Sequence, residues 1–205
     1  MFYRLTPSLA LRSPWRPHWP RPGERVLVVQ SRRVFPPGHA STRLCLDLLA
    51  EALQSGGVRR LLDVGCGSGI LALAAAALGV PVCVGVDLSW PAVRLSRENA
   101  RRSGLSDPVQ IIQGSTEALR GPFDLLLANL PLGVQLEKAS ELNRLAALGG
   151  ALILSGFKDT QEEALWELYR QAGWSRSRRL TREEWVIELP PEKSFTWVGW
   201  WLRRG

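Results

Sequence analysis

Lysine is scarce in this chain of 205 residues. Lys138, Lys158 and Lys193 are the only lysines among 26 basic residues, so arginine carries the net charge of +7 and the pI near 10.1. Such a balance suits an acidic partner such as RNA or a ribosome, although arginine bias also follows from genome composition alone. Cysteine is sparse too. Cys45, Cys66 and Cys83 are odd in number, sit in apolar surroundings and lack metal-ligand spacing. That argues for buried free thiols, against a disulfide framework or a catalytic cysteine. Of the two histidines, His18 has no companions that would make a metal site or a triad. No apolar run approaches the ~18 residues of a membrane span. The first 25 residues are broken by prolines and arginines and hold no apolar core of a secretory signal. The expectation is a cytoplasmic protein that does not engage a membrane. With 45% hydrophobic and 22% charged residues, the chain suits one globular domain with a full core. No internal repeat or second-domain boundary is visible.

The most informative stretch is Leu61-Leu62-Asp63-Val64-Gly65-Cys66-Gly67-Ser68-Gly69-Ile70-Leu71. An apolar run breaks into alternating glycines and resumes as an Ala/Leu-rich segment, which reads as strand, tight turn and helix. In an α/β sheet such a turn opens a ligand crevice, and glycine lets the backbone approach closely or take positive φ. The third glycine comes one residue too early for a dinucleotide fingerprint. Asp63 would repel a pyrophosphate but welcome an ammonium group. S-adenosylmethionine carries an ammonium and a sulfonium and no phosphate, and Asp-x-Gly-x-Gly-x-Gly resembles the loop of doubly wound methyltransferases. The bland alternative is an ordinary glycine turn in an α/β protein that binds no nucleotide.

Residues 1–23 interleave Pro7, Pro14, Pro17, Pro20 and Pro22 with arginines and with Trp15 and Trp19, and read as an extended, irregular arm. The arm could grip RNA by charge and stacking, or its tryptophans could pack on the domain. The division expected is an arm over 1–30 and a catalytic domain over 31–205. A strand at 25–30 is followed by a Pro-Gly loop and a helix over 42–55, capped by Ser41 or Thr42 and ended by Gly56-Gly57. After the glycine turn come a helix at 71–78 and a strand at 81–87 ending in Asp87, which is 18 residues past Gly69, where an acid accepts bonds from ribose hydroxyls. Pro91 suits the first turn of a helix reaching 103, and Leu88 or Trp90 could cover an adenine face. Ser115, after a strand at 109–113, borders the adenine edge. Strand 123–129 is apolar throughout, as a central parallel strand must be, and delivers Asn129 to the pocket. A helix at 135–148, a strand at 151–156 and a helix at 160–172 precede a β tail. That tail, at 174–189 and 195–202 around a turn at 190–193, forms an antiparallel edge hairpin. The fold class expected is a doubly wound, seven-stranded, mostly parallel sheet of the Rossmann-like methyltransferase type.

Six motifs carry a more specific resemblance: Phe35-x-x-Gly38-His39-x-x-Thr42-Arg43, Leu62-Asp63-Val64-Gly65-Cys66-Gly67-Ser68-Gly69, Gly85-Val86-Asp87, Phe123-Asp124-Leu125-Leu126-Leu127-Ala128-Asn129-Leu130, Leu154-Ser155-Gly156 and Glu184-Trp185. From about 34 to 185 the chain resembles the catalytic domain of the methyltransferase family acting on ribosomal protein eleven of the large subunit. The resemblance implies S-adenosylmethionine as cofactor and N-methylation of amino groups on a protein substrate, possibly ribosomal. It also implies that Phe35 and Thr42 close over the cofactor and that Gly65 and Gly67 line its methionine part, with Asp63, Cys66 and Gly69 in the same loop. Asp87 would hold the ribose, beside Leu88 and Ser115, and Asn129 would act next to the transferring methyl. The family loop usually reads Gly-Thr-Gly-His-His where this chain has Pro36-Pro37-Gly38-His39-Ala40. The family also carries a folded N-terminal domain that docks its substrate, in place of which this chain has about 30 Arg/Pro/Trp-rich residues.

Two other readings stay open. Asn129-Leu130-Pro131-Leu132 invites comparison with the Asn-Pro-Pro-Tyr loop of base and amide methyltransferases, though Leu132 replaces the stacking aromatic, so RNA or a small molecule is an alternative substrate. A non-enzymatic, cofactor-binding module of an RNA or ribosome assembly is the other, signalled by a cleft mouth blocked by Trp197, Trp200 and Trp201.

Overall fold

The computed structural model describes residues 1–31, 36, 38–184 and 194–205. Expectations that fall on Val34, Phe35, Pro37, Trp185 and the 190–193 turn lie outside the described residues. Strands β1 (Phe2–Thr6), β2 (Leu9–Arg12) and β3 (Arg25–Val28) form a small sheet of their own, β1 antiparallel and β3 parallel to β2. This departs from the irregular chain expected over 1–23. Pro7 falls in the β1–β2 turn and the other four prolines fall between β2 and β3, so none interrupts a strand. Leu9, Leu11 and Leu27 are at most 1% exposed and belong to the same apolar cluster as the helices below them. Trp15 and Trp19, by contrast, are 74% and 84% exposed.

Helix α1 (Ala40–Gln54) precedes the main sheet, which contains β4 (Arg60–Val64), β5 (Val82–Asp87), β6 (Val109–Gln113), β7 (Phe123–Asn129), β8 (Ala146–Lys158), β9 (Trp174–Glu183) and β10 (Thr196–Arg204). Interleaved with these strands are α2 (Ile70–Ala77), α3 (Trp90–Arg102), α4 (Leu132–Leu145) and α5 (Glu162–Gln171). The strand order is β6-β5-β4-β7-β8-β10-β9, parallel from β6 to β8, with β10 antiparallel to both its neighbours. The doubly wound sheet with an antiparallel C-terminal edge is the architecture expected. Alternate side chains feed opposite layers. Leu61, Leu125 and Leu127 join the cluster beneath α1, α2 and α3, while Leu62, Leu126 and Ala128 join the one beneath α4 and α5. Helix α2 is buried from Ile70 through Ala76, as an all-round apolar helix must be.

Helix boundaries moved where a side chain outcompeted composition. Helix α1 starts two residues early because His39 is its cap, its Nδ1 accepting from the Ser41 N–H at 3.2 Å. Helix α4 runs Leu132–Leu145 instead of 135–148: Pro131 is tolerated as its cap, and Ala146 already pairs with Phe123 in the sheet. Its expected last residue, Leu148, is 85% exposed in a bulge of β8.

Strand order reverses between β4 and β7, and just past their carboxyl ends the Leu130 side chain fills the space beside Gly65. The Leu130 N–H donates to the Ser155 carbonyl at 3.1 Å, and the buried Gln135 amide donates to the Leu130 and Ser155 carbonyls at 2.6 and 2.7 Å. Gly156, at φ +98°, faces the Leu130 peptide so closely that a Cβ would overlap its carbonyl oxygen. Gly156→Ala therefore combines an unfavourable φ with overpacking and should cost about 2–4 kcal/mol. Denaturant unfolding at constant m-value measures it, and a loss below about 0.5 kcal/mol would mean that the turn can yield.

Candidate functional site

The crevice beyond the carboxyl ends of β4, β5 and β7 holds nearly all the residues singled out in the sequence. Gly65, Gly67 and Gly69 all have positive φ (+68°, +55° and +77°), so these three positions of the turn between β4 and α2 favour glycine, with Cys66 and Ser68 between them. The loop is held from several sides. Its Gly65 and Cys66 N–H groups donate to the Val86 carbonyl at 2.8 and 3.1 Å, and the Gly67 N–H donates to Asp87 Oδ2 at 2.9 Å. From α3, Ser96 Oγ donates to the Gly67 carbonyl at 2.7 Å and Asn99 Nδ2 to the Ser68 carbonyl at 2.9 Å.

Two chambers meet at Gly65 and Gly67. The larger, about 380 Å³, is walled by apolar groups such as Val86, Ala92 and Leu130, and it takes in Asp87, Leu88 and Ser115. The smaller, about 50 Å³, brings together Thr42, Asp63, Cys66 and Asn129. Asn129 Nδ2 donates to Thr42 Oγ1 at 3.2 Å, tying the end of β7 to the start of α1. Gly69 lines neither chamber and instead lets α2 meet Ser96, whose Cβ would lie 3.1 Å from an added Cβ. Phe35 lies outside the described residues. The C-terminal tryptophans do not block the mouth. Trp200 is buried against Phe157 and Trp166, Trp201 is 8% exposed, and Trp197 packs edge-on to His39 at 4.5 Å.

Burial sets the electrostatics. Asp63 is 1% exposed, and among the described residues its side chain accepts a single hydrogen bond, from the Ala72 N–H at 3.2 Å; desolvation, with the Asp87 charge nearby, pushes its pKa up to about 7. Asp87 is placed differently, each carboxylate oxygen accepting one backbone bond, from Gly67 at 2.9 Å and Ser89 at 2.8 Å. A carboxylate oxygen has a second lone pair, so both keep capacity for a ligand hydroxyl. Burial raises the pKa of all three thiols, Cys83 to about 12, which disfavours the nucleophilic thiolate. Lys138 reaches the larger chamber from α4 with its Nζ 2.6 Å from Glu117, which holds that carboxyl down at about 2.

Ser96, Asn99, Gln135, Thr116 and Lys138 were not anticipated. A signal existed for the first two: Ser96 and Asn99 are polar residues on the face of α3 that carries Ala92, Val93 and Ala100, the side that packs on the sheet. Asn99, with no exposed surface, also donates to the Gln30 carbonyl at 2.8 Å and accepts from its N–H at 3.0 Å, joining the chain after β3 to the glycine loop. Asn99→Ala leaves three main-chain groups without their Asn99 partner, the buried Ser68 carbonyl and the half-buried N–H and carbonyl of Gln30, and should destabilise the fold by about 2–4 kcal/mol, read from denaturant midpoints. A loss below about 0.5 kcal/mol would show that water replaces the amide.

Residues 34–189 match the ribosomal protein L11 methyltransferase (PrmA) family. The chain is similar to the ribosomal protein L11 methyltransferase of Syntrophotalea carbinolica, at 36% identity over 184 residues, covering 89% of this chain and 60% of that protein. Against that of Geobacter metallireducens the identity is 33% over 187 residues, covering 91% of this chain and 61% of the relative. The chain thus spans about 60% of the length of these curated relatives. The crystal structure of a ribosomal protein L11 methylase from Lactobacillus delbrueckii subsp. bulgaricus shares the fold, with a TM-score of 0.82 at 22% identity and full coverage of both chains. With the family match running from the loop before α1 past β9, the chain belongs to the ribosomal protein L11 methyltransferase (PrmA) family.

Proposed function

We propose that the chain is an S-adenosylmethionine-dependent methyltransferase that N-methylates amino groups of a protein, ribosomal protein L11 being the substrate that its family membership favours. The observation that carries this reading is the convergence, at one crevice, of a positive-φ glycine turn, a strand-end carboxylate with spare acceptor capacity and a side-chain amide. The residues present fit the cofactor. The larger chamber has apolar walls for a nucleoside and Asp87 at its edge for the ribose hydroxyls, with Leu88 and Ser115 beside it. Thr116, which also lines it, has a buried hydroxyl with no protein partner among the described residues. In the smaller chamber Asp63 would face the ammonium group, with Gly65, Gly67, Cys66 and Thr42 around it.

When bound, the cofactor supplies an electrophilic methyl on a sulfonium that is already a good leaving group. The chain therefore has to position the nucleophile in line, about 3–3.5 Å from that methyl, and keep water away. Asn129 stands where an amine would enter. Its Nδ2 is committed to Thr42, and its Oδ1 can accept an N–H bond from the incoming nitrogen and so turn the lone pair toward the methyl. Desolvation by the surrounding apolar groups lowers the pKa of that amine, which must arrive uncharged. No further base is required.

The test is incubation of the purified chain with methyl-labelled S-adenosylmethionine and L11, beside a cell lysate before and after nuclease. Label on L11 is expected, nuclease-sensitive label would move the substrate to RNA, and binding without label would leave a non-enzymatic module. In the same assay Asn129→Ala should lower turnover about a hundredfold with cofactor affinity nearly intact, the scale of one lost transition-state donor or acceptor; equal losses in both would make its role structural.

Asp63 adds a pH signature. Its folded pKa, about 7, lies above the ordinary 3.8, so the folded chain holds the proton more tightly than the unfolded chain and loses stability as pH rises from about 4 to 7. A bound cation favours the ionised acid and reverses that order. Calorimetric affinity for S-adenosylmethionine should accordingly strengthen about tenfold from pH 5.5 to 7. In Asp63→Asn, which keeps the acceptor for Ala72, the affinity should be weaker and flat; a flat profile in the parent chain would place the ammonium elsewhere.

A further inference from the structure

Away from the crevice, α3 carries Arg94, Arg97 and Arg101 at intervals of three and four residues, hence on one helix face, beside β6 at the edge of the main sheet. A groove of about 690 Å³ runs between them, walled by these arginines, Trp90, Gln110 and Ile112. Trp90 is 49% and Ile112 38% exposed. The arginine excess of the chain is unevenly neutralised. On β9, Arg176 and Arg179 pair with Glu162, Arg178 with Glu51 and Arg182 with Asp47. On α3, Glu98 pairs with Arg102 at 2.5 Å, and among the described residues no carboxylate forms an ion pair with Arg94 or Arg101.

An open sheet edge beside cations suggests two occupants, an acidic strand or a polynucleotide. The edge itself decides between them. Arg97 donates Nε and Nη2 to the Ile111 carbonyl at 3.1 and 2.7 Å, taking the main-chain acceptor that an added strand would need. Its guanidinium carbon also lies 5.8 Å from the Trp90 ring centroid, which sets a charged plane beside an exposed indole. Two guanidinium groups without acidic partners and a half-exposed indole, on a surface whose strand-pairing edge is capped, match the phosphate-and-stacking pattern of single-strand binding.

We infer that the α3–β6 groove binds single-stranded RNA, with phosphates on Arg94 and Arg101 and a base against Trp90. This activity is separate from methyl transfer. It engages the outer edge of the sheet, three strands from the end of β7 where Asn129 lies. It would hold the chain on RNA while leaving the mouth of the crevice clear.

The experiment is fluorescence anisotropy of the full chain with a labelled single-stranded RNA 12-mer over a salt series. Arg94→Glu/Arg101→Glu should weaken binding at least tenfold and flatten the log K against log salt slope by about 1.4, two phosphates at roughly 0.7 each. Trp90→Ala should weaken it about fivefold or more. An unchanged thermal midpoint certifies the reversed variant, and Arg94→Ala/Arg101→Ala replaces it if the charge reversal fails to fold. RNA binding that survives both double variants would overturn the inference and assign the RNA to another surface, such as the exposed Trp15 and Trp19 segment. Polyglutamate that displaces the RNA from the parent chain at equal charge concentration would also overturn it, making the groove a site for acidic peptides.

Discussion

Leu130 is caught between two glycines, and the geometry of the crevice depends on that contact. Its side chain occupies the space into which a Cβ on Gly65 would project, and its carbonyl sits where a Cβ on Gly156 would fall. Three strand ends, those of β4, β7 and β8, are thereby brought within van der Waals contact at one point. Only glycine permits this on both sides, because Gly65 and Gly156 also hold positive φ. Asn129 precedes Leu130, so its reach to Thr42 follows from the same nesting. Gln135 completes the arrangement by binding the Leu130 and Ser155 carbonyls with one buried amide.

On the other side of the crevice the glycine turn is shaped before any ligand arrives. Positive φ exposes peptide groups that a regular strand or helix would pair, and buried groups of this kind need partners. The chain supplies them from separate elements: Asp87 from β5 accepts from Gly67, while Ser96 and Asn99 from α3 donate to Gly67 and Ser68. The entropy of ordering the loop is therefore spent during folding, which lowers what remains to be spent on binding. Through Asn99 and Gln30 the small N-terminal sheet is coupled to the same loop, so residues before β4 belong to the support of the crevice as well as to the core.

The parts of this molecule that were legible in the sequence are those governed by local pattern. The apolar runs at 61–64 and 123–128 could only be central strands, and the glycine alternation at 65–69 with Asp87 downstream located the crevice. Proline content alone does not reveal the strands within residues 1–23, because register decides its effect: Pro7 sits in a turn, where it costs no ladder bond. The boundary of α4 was misplaced because Ala146-Ala147-Leu148 has helical composition, whereas pairing of Ala146 with Phe123 is a contact between distant residues that composition cannot carry. Asn99 and Gln135 escaped for a related reason. Each is a polar residue whose partners lie on other elements, 69 residues away for Asn99 and Gln30 and 20 for Gln135 and Ser155, so only the assembled fold reveals what they hold.

Asp63 shows how the same fold can leave an electrostatic demand unmet by its own residues, one that the proposed cofactor's ammonium group would answer. Its neighbour in the sheet order ends in Asp87, a second acid, and the two environments drive the carboxyls apart. Asp87 keeps backbone donors on both oxygens at the open rim of the crevice, whereas Asp63 is buried with a single N–H. Near neutral pH the buried acid is poised between its two forms, which spares the fold the full cost of a desolvated charge. A hydrophobic side chain there would be cheaper to bury but would offer a cation nothing. A permanently ionised acid would attract the cation but would weigh on the fold whenever the crevice was vacant. A carboxyl held near pKa 7 lies between these limits: it ionises when a positive group is delivered beside it, so the desolvation cost is incurred together with the interaction that offsets it.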